Sequence, residues 1–139
     1  MKLSPAAEIA VQGVMVLAER NGHGPVNLDG ICAQRNLPKQ YLVKIFSSLA
    51  KMDIITPVRG KHGGYLLARD PGQITVLEVI EAVEGPLALN LCQHNPPKCD
   101  REDCALRGLW TELQNAMRDK LGTMTLAHCV QFTKTTAQA

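Results

Sequence analysis

Cys92, Cys99 and Cys104 fall within thirteen residues, separated by gaps of six and four. Three thiols so close along a chain can converge on one centre, and thiolates are the soft ligands that zinc and iron–sulfur clusters both use. His94, between the first two, adds a nitrogen donor. Of the five cysteines, Cys32 and Cys129 stand apart. An odd count with a local trio argues for a metal or redox site over a disulfide framework. Cys32 is expected to pack as a small core hydrophobe and Cys129 to be structural. Spacing alone leaves iron–sulfur, structural zinc and free redox-active thiols open.

A second concentration of chemistry lies upstream. Residues 1–74 carry nine Lys/Arg against five Asp/Glu, a net of +4, whereas residues 75–139 carry six against eight, a net of −2. Between positions 35 and 61 stand Arg35, Lys39, Lys44, Lys51, Arg59 and Lys61, with Asp53 as the lone acid. Such a patch suits a surface that meets phosphates.

The elements that must position these groups can be read from periodicity and caps. Ser4 and Pro5 open a first helix, apolar nearly all round apart from Glu8, Gln12 and its end. That pattern predicts burial on two sides, one of them against a partner chain. Asn27 caps a short second helix. Asn36-Leu37-Pro38 turns the chain into a third, from about Lys39 to Met52, whose Leu42, Ile45, Phe46 and Leu49 follow helical spacing. Lys39, Gln40, Tyr41 and Lys44 are left facing outward, which makes the pair a helix-turn-helix.

Strands at Ile54–Val58 and Tyr65–Ala68 flank Arg59-Gly60-Lys61-His62-Gly63-Gly64, a basic hairpin that reads as a wing. Thr75 and Glu78 form a capping box for a helix stopped by Gly85-Pro86. After a cysteine-rich loop, a long helix starts near Cys104 and ends at Gly122. Its Leu106, Leu109, Trp110, Leu113, Met117 and Leu121 form an apolar stripe suited to a dimer interface. Thr125 caps a short last helix, and the tail from about Lys134 is expected to fray.

The fold expected is therefore mainly α with a small β-hairpin wing: a winged helix-turn-helix plus a long dimerisation helix. Its parts are a DNA-binding domain over 1–85, a sensor loop over 86–103, the dimerisation and short terminal helices over 104–130, and a flexible tail over 131–139. A chain of 139 residues, 45% hydrophobic and 20% charged, is long enough for one such domain and too apolar for wholesale disorder. No apolar run reaches a membrane span, and the N-terminus lacks a cleavable leader pattern, so a cytoplasmic protein is expected. No nucleophile, base and orienting group stand at recognisable positions, which argues against an enzyme and a small-molecule substrate.

Met1-Lys2-Leu3-Ser4, the wing Val58–Ala68, the stretch Ile74–Leu87 and the cysteine trio leading into Leu106-Arg107-Gly108-Leu109-Trp110 together resemble the Rrf-two family of winged-helix transcriptional regulators. The resemblance spans roughly Met1 to Val130. It implies a homodimer with crossed long helices on a partly palindromic operator in double-stranded DNA. Gln40, Tyr41 and Lys44 would reach the major groove, Lys39 and Lys61 would anchor phosphates, and Arg59 would enter the minor groove. It also implies an iron–sulfur cluster, two-iron or four-iron, on Cys92, Cys99 and Cys104. The gaps here depart from the five and five of the best-known cluster regulators, and Arg107 stands where one of them has a ligating histidine. His94, or Glu8 of the partner subunit, is then the candidate fourth ligand, with Gln12 one turn beyond Glu8. The alternatives are a metal-free thiol-sensing regulator and a zinc-stabilised one. A small iron–sulfur carrier would leave the wing unexplained.

Overall fold

The computed structural model describes Lys2–Gln138. Met1, which opens the family-like N-terminal motif, and Ala139, the end of the expected tail, lie outside the described residues. Six helices and one hairpin follow in order: α1 (Pro5–Glu19), α2 (Leu28–Arg35), α3 (Lys39–Lys51), β1 (Ile55–Val58), β2 (Gly64–Leu67), α4 (Val76–Glu84), α5 (Arg107–Thr123) and α6 (Leu126–Gln138).

Local chemistry sets most of the boundaries. Ser4 accepts from the Ala7 N–H and Pro5 occupies the first helical turn of α1. Asn27 accepts from the Gly30 N–H at 2.7 Å to start α2. Asn36 closes α2 in the left-handed conformation (φ 52°), which asparagine tolerates better than most residues. The capping box at α4 is complete: the Thr75 hydroxyl accepts from the Glu78 N–H and Glu78 accepts from the Thr75 N–H.

Partial burial pushes the Glu78 carboxyl up. The bond from the Thr75 N–H and the Arg69 guanidinium outweigh it and hold the group below the 4.5 of an ordinary glutamate. A depressed carboxylate stabilises the fold above its unfolded value, and that stabilisation disappears as the pH falls through the folded one. Glu78→Ala is therefore expected to cost about 1 kcal/mol at pH 7, most of it from the cap because the Arg69 pair is partly solvated. Urea melts at pH 7 and pH 3 check this. The gap between variant and parent should shrink at the lower pH, and an equal gap would count against the assignment.

α1 is the hub. It packs against α2, α3, α4, α6 and β2 of its own chain. Much of the burial expected for this helix is thus met within its own chain, while Glu8 and Gln12 remain exposed. Its Ala7, Ala10, Gly13 and Val14 through Ala18 are buried by intrachain neighbours. Gly13 permits the closest of these approaches, since a Cβ there would stand 2.8 Å from the Phe46 ring. Phe46, Leu42 and Leu49 are fully buried from α3, and Phe46 meets Tyr65 of the wing edge-on at 4.9 Å.

The hairpin pairs antiparallel with Ile55 opposite Leu67 and Val58 opposite Gly64. β1 is an edge strand, so Pro57 is tolerated as expected. Val26, ahead of α2, bridges the other side of β2 through reciprocal bonds with Tyr65 of 3.0 and 2.9 Å. A similar bridge joins Thr75 to Thr125, fastening the start of α6 to the start of α4.

Further differences from the sequence reading lie at the C-terminal end. α5 begins at Arg107, three residues beyond Cys104, with Leu106 as a cap that offers no side-chain acceptor. It continues through Gly122, which faces Leu77 of α4, and ends at Thr123. α6 is not short and runs through residues 131–138, where a tail was expected. Thr133, Thr135 and Thr136 there turn their hydroxyls back onto the carbonyls four residues earlier.

Candidate nucleic-acid interface and cysteine loop

α3 turns Leu42, Ile45, Phe46 and Leu49 into the core, which fixes its opposite face toward solvent. On that face Gln40, Tyr41 and Lys44 border one shallow hollow of about 520 Å³, so the structure brings these three expected DNA readers together. Val43 shares the hollow and is 47% exposed. The sequence reading passed over it because an apolar residue off the core stripe carries no recognisable signal.

Lys39, at the first position of α3, is exposed and paired with Asp29 of α2 at 2.8 Å. That hydrogen-bonded carboxylate holds its ammonium above the ordinary lysine value. A phosphate would therefore meet a Lys39 that already has an anionic neighbour. α2 is in turn fastened to α1, since Arg35 pairs with Glu19 and also donates to Gln12. Gln12 is thus engaged by α2.

At the wing, Arg59 and Lys61 are exposed on the turn between β1 and β2, and no acidic residue occurs from Ile54 to Arg69. The Gly63 N–H closes the turn on the Gly60 carbonyl at 3.1 Å. Gly64 lies so close to the Val26 backbone that a Cβ would sit 2.3 Å from its carbonyl oxygen, so any side chain would pry the wing off. Arg69, unremarked in the sequence, ties the wing's exit to its surroundings. It donates to the Asp53 and Gln73 carbonyls and pairs with Glu78.

The cysteine loop runs from Gly85 to Leu106 and contains one 3-10 turn at Leu91–Gln93. It is laced to the helices beside it. Glu81 of α4 accepts from the Leu87 N–H at 2.9 Å and from Arg118 of α5, Gln114 accepts from the Leu89 N–H, and Gln93 donates to Thr111. Cys92, Cys99 and Cys104 are each half-buried and unpaired with one another. Among the described residues, no three of His, Cys, Asp and Glu are gathered closely enough to hold a metal ion. The structure therefore places the trio on one loop without gathering it into a metal-binding group among the described residues.

His94 is half-buried in a hollow beside Leu87, Gln114 and Arg118, and Glu8 is exposed on α1. Neither joins the thiols. The donor chemistry, three soft thiols on one segment, nonetheless suits a thiolate-bound iron–sulfur cluster. Arg107, whose amide donates to the Cys104 carbonyl, keeps a buried Nε–H without a partner beside this segment. Cys32 and Cys129 pack against the core as expected, and burial pushes the Cys129 thiol up.

The profile of the Rrf2 family, described as an iron-dependent transcriptional regulator, matches residues 3–131. The chain belongs to the Rrf2 family. The HTH-type transcriptional regulator IscR of Xenorhabdus nematophila is 34% identical over 131 residues, covering 94% of this chain and 80% of that one. The regulator CymR of Bacillus subtilis is 30% identical over 134 residues, covering 96% and 92%. Among solved structures, CymR, described as the global cysteine regulator of B. subtilis, superposes with a TM-score of 0.83 at 28% identity, covering 95% and 98%. IscR of T. potens gives 0.81 at 28% identity, covering 96% and 88%. These relatives are transcriptional regulators and not enzymes, and the winged helix-turn-helix is the family's DNA-binding fold. No helix of the described residues is long and apolar enough to cross a membrane.

Proposed function

We propose that this Rrf2-family chain is a cytoplasmic, homodimeric repressor that binds a partly palindromic operator and is modulated by an iron–sulfur cluster on Cys92, Cys99 and Cys104. The observation that carries the DNA half is the outward face of α3, where Gln40, Tyr41 and Lys44 share one hollow, beside an acid-free wing bearing Arg59 and Lys61. Gln40, Tyr41 and Lys44 can donate to or accept from base edges, while Lys39 and Lys61 set the register on phosphates. Arg59→Ala is expected to weaken duplex binding by about 1–3 kcal/mol, read from anisotropy titrations at fixed salt. Unchanged affinity would remove Arg59 from the interface.

Support for a homodimer comes from α5. Its 17 residues span about 25 Å, and Leu106 (51% exposed), Leu109, Leu113 and Met117 remain uncovered by this chain. Support for a regulated reader comes from the lacing of the cysteine loop. Glu81 joins Leu87 to Arg118, and its helix α4 packs on both α1 and α3. Movement of the loop's thiols would then be felt at the recognition helix. When bound, the cluster would supply one-electron redox chemistry and sensitivity to small oxidants. His94, or Glu8 of the partner subunit, is the fourth ligand we propose.

The test is anaerobic purification with iron, sulfide and zinc counting and a visible spectrum, on the parent and on Cys104→Ser. Iron with matching sulfide and a visible band, lost in the variant, is the expected result. Zinc, or no metal, would sink the cluster. Absence of any metal would favour the second reading, in line with the likeness to CymR, described as a cysteine regulator: a regulator whose thiols act without metal.

A further inference from the structure

We propose that Val43 reads the 5-methyl group of a thymine in the major groove and is a specificity-determining residue of the recognition helix. This rests on the DNA-binding reading above and extends it to a residue that reading does not use.

The core stripe of α3 is complete without Val43, since Leu42, Ile45, Phe46 and Leu49 are all at most 5% exposed. Val43 instead stands in the outward row, one turn beyond Gln40 and beside Lys44, and it lines the same hollow as both. Nothing in the chain's own packing calls for a β-branched residue there. Valine lowers helix propensity relative to the polar residues usual on a solvated face, and its apolar surface gains nothing from water. In the major groove the balance reverses. Thymine is the base that presents a methyl group there, and small apolar side chains meet it by contact.

The neighbours fit the same base pairs. Gln40 can bond adenine N6 and N7 in the bidentate manner open to glutamine, so a row of Gln40 and Val43 suits adjacent A·T pairs. Lys44 supplies the positive charge that draws this face toward the duplex. A polar residue at position 43 would exchange the methyl contact for hydrogen bonds to other bases. The side chain at this position thus decides between thymine and its competitors.

The experiment begins by selecting duplexes from a random-sequence library with the full-length protein. Thymines of an enriched duplex are then replaced one at a time by deoxyuridine, which keeps the pairing and removes only the methyl. At one thymine per half-site the parent should lose affinity about fourfold, the equivalent of burying one methylene-sized group (~0.8 kcal/mol). V43A should bind the thymine duplex about as weakly as the parent binds the uracil one, and should no longer distinguish the two. V43I should retain the discrimination. Because Val43 is exposed, V43A should melt with the parent, which separates lost recognition from lost folding. V43A that still discriminates, or a parent insensitive at every thymine, would overturn the assignment and leave the DNA-binding reading intact. Failure to enrich any duplex would overturn both.

Discussion

Leu113→Asp is expected to convert the proposed dimer to monomers and to weaken operator binding by about a hundredfold or more. Leu113 lies mid-way along α5 and is 40% exposed on the single chain, flanked by Leu109 one turn before and Met117 one turn after. In a two-fold assembly each substitution occurs twice, so two carboxylates would enter one apolar seam. A buried charge without a partner costs several kcal/mol, enough to empty an interface of ordinary size. A monomer then engages one half-site and loses the effective concentration that links two readers, a factor commonly between 10² and 10⁴. Because the side chain is largely outside the chain's own core, the melting temperature of the folded unit should move little. Sedimentation velocity and anisotropy on the same sample check both halves. A variant that remains dimeric would take the interface away from α5.

The second large effect concerns the fold that holds the reading helix in place. Phe46→Ala should cost about 3–5 kcal/mol, as large aromatic truncations in closed cores do. Phe46 is fully buried, reaches α1 at the one point where Gly13 leaves space, and packs edge-on against Tyr65 with 78° between the rings. One side chain thus joins the recognition helix, the hub helix and the wing. Against a total stability of roughly 5–15 kcal/mol, that loss leaves a marginal domain. Urea denaturation should show the midpoint falling with little change in slope, and a loss below about 1 kcal/mol would contradict this packing. The contrast with Leu113→Asp is diagnostic, because one variant loses assembly while keeping its fold and the other loses the fold itself.

What could be read in advance was what short-range chemistry decides. Ser4 with Pro5, Asn27, and Thr75 with Glu78 start their helices because each supplies an acceptor three residues ahead of an orphan N–H. The wing was legible from its glycines and cations, and the core face of α3 from the spacing of Leu42, Ile45, Phe46 and Leu49. Periodicity showed that α1 is buried on several sides but carries no information about which chain covers it. α5 lacks a capping side chain, so its start at Arg107 could not be separated from Cys104. α6 outran its expected length, since no Gly or Pro interrupts it before its end at Gln138. At the candidate site, the outward placement of Gln40, Tyr41 and Lys44 followed from the helix. The Lys39–Asp29 pair and Arg69's three contacts are tertiary and leave no local trace. Likewise, sequence spacing told that three thiols share a loop and not how far apart their sulfurs stand.

The proposed regulator joins a DNA reader to a thiol-bearing sensor, and a single titration addresses the joint. Protein reconstituted anaerobically, and the same protein stripped with a chelator, are titrated against one selected duplex at one salt concentration. Sequence-selective binding is expected, with an affinity that differs by about tenfold or more between the two forms. Such a ratio corresponds to a coupling of ~1.4 kcal/mol, within the usual range for linked sites. Equal affinities would contradict the regulation, and the absence of selective binding in both forms would contradict the reader itself.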